Sequence, residues 1–304
     1  MRISSLGETK LIRRIAQRIR TGPEVLRGIG DDCAVLKGSG RMLRLFASDM
    51  LVEGVHFARK TPAEKIGWKA IAVNVSDVAA MGGLPRHAVV SLGLSPPTEI
   101  LFVDRLYRGL RRCASEYGVD LVGGDTTRAS RTVIDVAILG EVEKDRVVYR
   151  SGARPGDALL VTGRLGGSLR SGRHLMFRPR VREARAISAR FKLHAMMDLS
   201  DGLGPDLAKM CDASRVSARV ESARVPRRPG CSLGQALSDG EDFELLIAAA
   251  PADAAGLLRW AKRSLPCGLT EIGKIVPRGR ETAVTWGMSP GMRVPKNLSG
   301  FRHF

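Results

Sequence analysis

Residues 150–157 read Arg-Ser-Gly-Ala-Arg-Pro-Gly-Asp, a turn-forming stretch that no regular helix or strand can cross, and they divide the chain into two blocks of similar make-up. Each block alternates apolar runs of strand length with amphipathic stretches of helical period. That alternation makes each an α/β (α+β) sheet unit and excludes a plain helix bundle or an all-strand sandwich. We therefore expect two domains, 1–149 and 150–304, in a chain of 304 residues, long enough for each to bury a core.

In the first block Ser5 and Glu8 have the spacing of a capping box, and Leu11, Ile12, Ile15 and Ile19 recur at helical intervals. A first helix ending before Gly22-Pro23 is expected. A Gly-rich turn carrying Asp31 and Asp32 follows, then a strand over 42–47 ending at Ser48-Asp49, a helix over 62–81, a strand over 87–94 and a helix over 98–117. Strands near 119–122 and 133–139 close the block. The second block predicts strands over 158–162, up to Asp198, and over 243–248, 271–276 and 283–286, with helices over 181–189, 203–211 and 251–263. In the helix over 62–81, Trp68, Met81 and the apolar face from Lys69 to Val78 read as core packing. There is no fixed-period repeat and no low-complexity tract.

The chemistry lies in five short segments where aspartate is flanked by small or hydroxyl residues: Gly30-Asp31-Asp32, Ser48-Asp49, Asn74-Val75-Ser76-Asp77, Gly123-Gly124-Asp125 and Asp198-Leu199-Ser200-Asp201-Gly202. We expect them at strand ends and turns, outside any ion-pair ladder. Carboxylates gathered without cations repel one another, and a divalent ion is the usual remedy. Oxygen ligands without His or Cys at ligand spacing point to Mg²⁺ rather than zinc. Glycine beside them lets backbone N–H groups approach phosphate oxygens, so a nucleotide with its metals is the ligand class. The standard nucleotide motifs are missing: 167–174 outlines a P-loop but has Arg173 and His174 where Lys and Ser/Thr belong, and no G-x-G-x-x-G opens a helix. No G-x-S-x-G elbow supports a serine hydrolase either.

Forty-nine Lys and Arg against 31 Asp and Glu give a net charge of +18, which invites anionic partners. The basic residues are scattered and aromatics are only 5% of the chain, so a base-stacking nucleic-acid surface is poorly supplied and nucleic acid is not the expected partner. Five cysteines without a C-x-x-C pair indicate a reduced, cytoplasmic protein. The first residues lead straight into charge, and no apolar run reaches the roughly 18 residues of a membrane span, so neither a signal peptide nor a membrane anchor is expected.

Taken in order, these segments resemble the thiamine-monophosphate kinase family, within the superfamily of aminoimidazole ribonucleotide synthetase. The resemblance runs over nearly the whole chain. Besides the aspartate motifs it is carried by Leu6-Gly7-Glu8, Trp68-Lys69-Ala70, Arg150-Ser151-Gly152-Ala153 and Gly240-Glu241-Asp242-Phe243-Glu244-Leu245. Glu53-Gly54-Val55-His56-Phe57 and the closing Phe301-Arg302-His303-Phe304 single out the thiamine branch. The resemblance implies a two-domain aminoimidazole ribonucleotide synthetase-like fold. Its N-terminal sheet domain dimerises with a second copy, its C-terminal domain is α/β, and ATP binds between the domains. It further implies phosphorylation of thiamine monophosphate by ATP, with several Mg²⁺ ions held by Asp32, Ser48, Asp49, Asp77, Asp125, Asp198 and Asp201. ATP contacts would come from Tyr107, Gly124, Asp125, Arg150 and Ser200, and substrate contacts from His56, Glu241, Asp242 and Phe301. No side chain is assigned as acid or base. A selenophosphate enzyme of the same superfamily would want a reactive cysteine in an N-terminal loop, whereas Cys33 sits inside an aspartate motif.

Some positions depart from the family pattern. Ser48 stands for Thr and keeps an oxygen ligand, Phe243 stands for Tyr, and Phe301 stands for Trp and keeps a stacking face. Asp239 brings a Cβ and a charge into a Gly-rich turn, which puts the local geometry in question, and the region 167–174 is short where a helix is usual.

Overall fold

In a computed structural model, the structure describes residues 7–279 and 283–287. The N-terminal block forms a six-stranded sheet of order β1-β2-β3-β6-β4-β5. Its strands are β1 (Val25–Arg27), β2 (Ala34–Lys37), β3 (Met42–Val52), β4 (Leu84–Leu94), β5 (Asp120–Arg128) and β6 (Val133–Glu143). All neighbours run antiparallel except the edge pair β4 and β5, which is parallel. The C-terminal block forms a second six-stranded sheet of order β12-β9-β11-β7-β10-β8. It contains β7 (Ala158–Thr162), β8 (Ala195–Asp198), β9 (Ser217–Glu221), β10 (Leu245–Ala249), β11 (Leu269–Val276) and β12 (Val284–Gly287).

Among the helices, α1 (Glu8–Ala16) opens the fold, and α2 (Ala63–Ala80) and α3 (Ile100–Tyr117) cover one face of the first sheet. The second block adds α4 (Ser168–Ser171), α5 (Val181–Ser188), α6 (Leu203–Ser214), α7 (Leu233–Ser238) and α8 (Pro251–Ser264). The helix over 62–81, the strand over 158–162 and the helix over 251–263 lie where the pattern put them, each to within a residue or so. The first helix stops at Ala16, short of Gly22: its Ile12 and Ile15 face solvent, so no core extends it. Its cap is Gly7, and Ser5 lies outside the described residues.

Helix α2 organises the molecule. It is buried on nearly every side, and Gly67 is what lets α3 lie so close, since a Cβ there would fall 2.1 Å from the Leu106 carbonyl oxygen. Its other flank meets the C-terminal block. Trp68 Nε1 donates to the Phe177 carbonyl at 2.8 Å, and Ser76 Oγ donates to Asp198 Oδ2 at 2.5 Å. One continuous apolar core runs from the first sheet through α2 into Ile187, Phe243 and Leu257, and a second lies on the opposite face of the second sheet around Leu159, Leu203 and Met210. Because both faces of the second sheet are covered, β7, β8 and β10 are buried along their whole length and read as apolar runs, broken only by Thr162 and Asp198 at the ends of β7 and β8.

Candidate active site

Five elements far apart in the chain meet at the junction of the blocks. Asp32 comes from the turn before β2, Asp49 from β3, Asp77 from the last turn of α2, Asp198 from the end of β8, and Ser200 and Asp201 from the loop into α6. They line one cleft of about 650 Å³ together with Ser48, Asp31 and Arg150. Asp49 and Asp77 depart from the expected strand ends and turns. Asp49 sits inside β3, which continues to Val52, and shares the inward parity of Leu45 and Leu51, so the sheet itself aims it at the junction. Asp77 is helical, aligned with Ser76 on the flank that meets β8.

Carboxylate oxygens of Asp32, Asp77 and Asp198 all lie within 4.8 Å of one another. Burial first, then Asp49 and Asp198, push the Asp77 carboxyl well above the usual range. Burial and then Asp32 do the same to Asp198, although Ser76 pulls it back. Asp31, which no reading of the motifs singled out as a ligand, is pushed up to about 6 by burial and then by Asp32. The cleft wall carries eight carboxylic residues (Glu8, Asp31, Asp32, Asp49, Asp77, Asp198, Asp201 and Asp212) against Arg13, Arg150 and Lys209. In a chain of net charge +18 this local excess of acid is a built feature.

Asp31, Asp32 and Asp201 do have cations, contrary to the expectation that all stand outside ion pairs, Arg27 Nε lying 3.9 Å from Asp31 Oδ2. The Arg150 guanidinium pairs with Asp32, while its backbone N–H donates to Asp31 Oδ1 at 3.0 Å. Lys209 Nζ reaches Asp201 Oδ2 at 2.5 Å and the buried Asp206 Oδ1 at 2.9 Å. Asp206 also accepts from the backbone N–H groups of Asp201 and Gly202, fixing the loop that carries Ser200. These partners do not close the site. Asp32 Oδ2 is buried without a hydrogen-bond partner, and an all-oxygen set of clustered carboxylates with one such atom suits Mg²⁺.

A smaller pocket of about 180 Å³ adjoins the cleft, lined by His56, Val73, Glu241 and Phe243. His56 Nδ1 accepts the Val52 N–H at 3.0 Å, so its ring proton is on Nε2. Glu241 pairs with Lys69, a wholly buried lysine of α2 that the motif reading placed in the core. The signal was there: a charged residue flanked on every side by apolar helix must have a partner. Asp242, by contrast, points away, accepting from Gly166 N–H at 2.8 Å beside Arg228. Asp239 ends α7 with helical φ of −62° and accepts from Gly167 N–H at 3.0 Å, so its Cβ is no strain; the positive φ values fall on Gly240, Glu241 and Phe243 instead. Between Gly167 and Met176 the chain makes only α4 and one 3₁₀ turn. Phe301 lies outside the described residues.

Tyr107, Gly124 and Asp125 are not among the residues lining the cleft of this chain. Tyr107 packs against the first core from α3. Gly124 is needed by packing, because a Cβ would lie 1.8 Å from the Val90 carbonyl oxygen beside a bulge between β4 and β5. Asp125 is exposed on the edge strand β5, and the register places it in one row with Ser91, Asp135 and Met50 on the outer face of the sheet. Ser48 belongs to that face too, donating to Asp135 Oδ1 at 2.9 Å. The aspartate motifs thus divide between two faces of one sheet.

Comparison with known proteins bears on the family of the chain. The N-terminal domain of AIR synthase related proteins matches residues 30–142, and their C-terminal domain matches 154–285. Thiamine-monophosphate kinase of Rhodopirellula baltica is 37% identical over 290 residues, 89% of this chain and 90% of that one. The chain belongs to the thiamine-monophosphate kinase family. The kinase of Bacillus subtilis is 31% identical over 98% of this chain and 100% of its own. A solved kinase structure, AaThiL complexed with AMPPCP and TMP, superposes with a TM-score of 0.83 at 33% identity, covering 100% of this chain and 99% of that one. The two-sheet architecture is therefore the family's. Among the described residues no helix is long and apolar enough to cross a membrane.

Proposed function

We propose that the chain transfers the γ-phosphoryl group of ATP to thiamine monophosphate, yielding ADP and thiamine diphosphate, in the cytoplasm. The observation that carries this reading is the shared wall of the two cavities. Glu8, Asp49, Ser200, Asp201 and Lys209 line both the acidic cleft and the His56–Glu241 pocket, so two ligands can meet end to end there. The family relationship supports the choice of acceptor.

The chemistry asks little of side chains as acids or bases. A phosphate monoester oxygen is already ionised at neutral pH, so attack on the γ-phosphorus needs alignment and charge neutralisation. Asp32, Asp77 and Asp198 would hold Mg²⁺, with Asp49 and Asp201 at the margin of the same cleft; Ser48 borders it too, but its hydroxyl is turned to Asp135 on the outer face and is not a ligand in a single chain. Bound there, Mg²⁺ supplies the positive charge that lets two phosphate chains approach. Arg150 and Lys209 bring permanent cations to the cleft, and Ser200 offers a hydroxyl and a backbone N–H at the wall common to both ligands. His56 and Glu241 bind the acceptor.

We also propose a homodimer through the outer face of the first sheet. That face leaves Phe46 48% exposed, Met50 53% and Val122 63%, and among the described residues no strand pairs with the outer side of the edge strand β5. A second copy docked there would cover Asp125, Gly124 and the Ser48–Asp135 bond. Purified protein given Mg²⁺, ATP and thiamine monophosphate is expected to form ADP and thiamine diphosphate in equal amounts. No product at saturating concentrations of both would refute the assignment.

A further inference from the structure

Lys69 is the only charged residue of α2 between Lys65 and Asp77, and it is wholly buried. Burying an ammonium is costly unless it is paired and hydrogen-bonded, so its partners explain its place. Its Nζ donates to the His56 carbonyl oxygen at 3.0 Å and forms an ion pair with Glu241 Oε1. One ammonium thus ties the loop after β3, in the first block, to the turn before β10, in the second. These are the two walls of the smaller pocket, and Val73, one helical turn on from Lys69, lies between them.

Lys69 itself is not among the pocket's lining residues. The rest of Glu241 is fastened separately: its N–H donates to Ser200 O at 2.6 Å, and its own carbonyl accepts from Ser168 Oγ at 2.7 Å. Among the described residues, Lys69 is the one ion-pair partner of the Glu241 carboxylate. We propose that Lys69 is a positioning residue for the acceptor subsite: by holding His56 and Glu241 at fixed separation across the block junction, it sets affinity for thiamine monophosphate and leaves nucleotide binding alone. This rests on the function proposed above.

The test compares wild type with Lys69→Met, which keeps length and volume but removes the ammonium. The expected result is a KM for thiamine monophosphate raised about tenfold or more, with the KM for ATP nearly unchanged, and partial rescue by Lys69→Arg. Equal losses toward both substrates, or an unchanged KM for thiamine monophosphate, would overturn the proposal. Should Lys69→Met not fold, Lys69→Gln keeps a hydrogen-bond donor toward the Glu241 carboxylate and the His56 carbonyl without the charge and leaves the pocket-lining residues untouched. It is expected to be thermally stabilised by Mg²⁺-AMPPCP like wild type and to lose the further stabilisation by thiamine monophosphate. Retention of that further stabilisation would overturn the proposal. Wild-type protein that is stabilised by Mg²⁺-AMPPCP yet indifferent to thiamine monophosphate would instead overturn the underlying function, and the two failures are told apart by that control.

Discussion

The second block buries a carboxylate as deeply as the cleft does, and to opposite effect. Glu244 is 1% exposed and saturated: Thr162 Oγ1 donates at 2.9 Å, Arg180 Nε and Nη2 each at 2.7 Å, and Arg173 Nη2 at 3.0 Å. Asp32, Asp77 and Asp198 face one another, share one guanidinium and one hydroxyl, and leave an oxygen without a partner. Asp198 is buried as deeply as Glu244 while Asp32 and Asp77 are half-buried, so what most separates the two clusters is the stoichiometry of cations around them. The first cluster is complete within the protein. The second is short of cations among the described residues.

Neutralising one carboxylate in each cluster tells the two apart. Asp77→Asn should reduce phosphoryl transfer by on the order of 10³-fold, the several kcal/mol expected of lost metal charge, and should leave the ligand-free protein as stable or more stable, since a repulsion is removed. Steady-state assays paired with thermal melting decide it. Glu244→Gln should do the reverse, lowering unfolding stability by about 3–5 kcal/mol in denaturant titration while the folded protein keeps its KM values. If Asp77→Asn collapses the fold, or Glu244→Gln leaves stability intact, the two clusters are not different in kind.

Ser76→Ala removes the hydroxyl that orients Asp198 and should raise the Mg²⁺ concentration for half-maximal activity by about 10–100-fold with little change in melting temperature. The pH dependence has a definite sign. Asp77 and Asp198, and Asp31 at about 6, hold protons in the folded state above the unfolded value of 3.8. The native state therefore binds more protons than the unfolded one across that window, so their contribution to ligand-free stability is present at low pH and fades as pH rises through the folded values. Added Mg²⁺ competes with those protons, and its stabilisation should grow as pH rises from about 4 to 7. Melting curves with and without Mg²⁺ across that range check it; a stabilisation that shrinks with rising pH would be the wrong sign.

Much of the fold was legible where one physical signal dominates. The apolar run of β7, the long helix α2 and the Pro-led α8 each follow from pattern alone. The short strands β1, β2 and β9 were not, because three to five residues are too few to carry a period that can be read. At the site, Asp32, Asp77 and Asp198 could be picked out by their small neighbours, but their actual partners could not. Lys69 hid in a helix that reads as core, and Lys209 and Asp206 hid in an ordinary amphipathic one. Pairing across 118 residues, as between Arg150 and Asp32, is a property of the fold and leaves no local trace. Tyr107, Gly124 and Asp125 show the converse, being legible as motif and yet absent from the cleft of a single chain.

The cleft carboxylates are short of cations, and it is there that we propose divalent ions bind. Crystals grown with Mn²⁺ and AMPPCP test it through anomalous scattering. The expected map has a manganese peak bound by oxygens of Asp32, Asp77 and Asp198. A map with no metal among them, Asp32 still held by Arg150 and Asp198 by Ser76 alone, would contradict it.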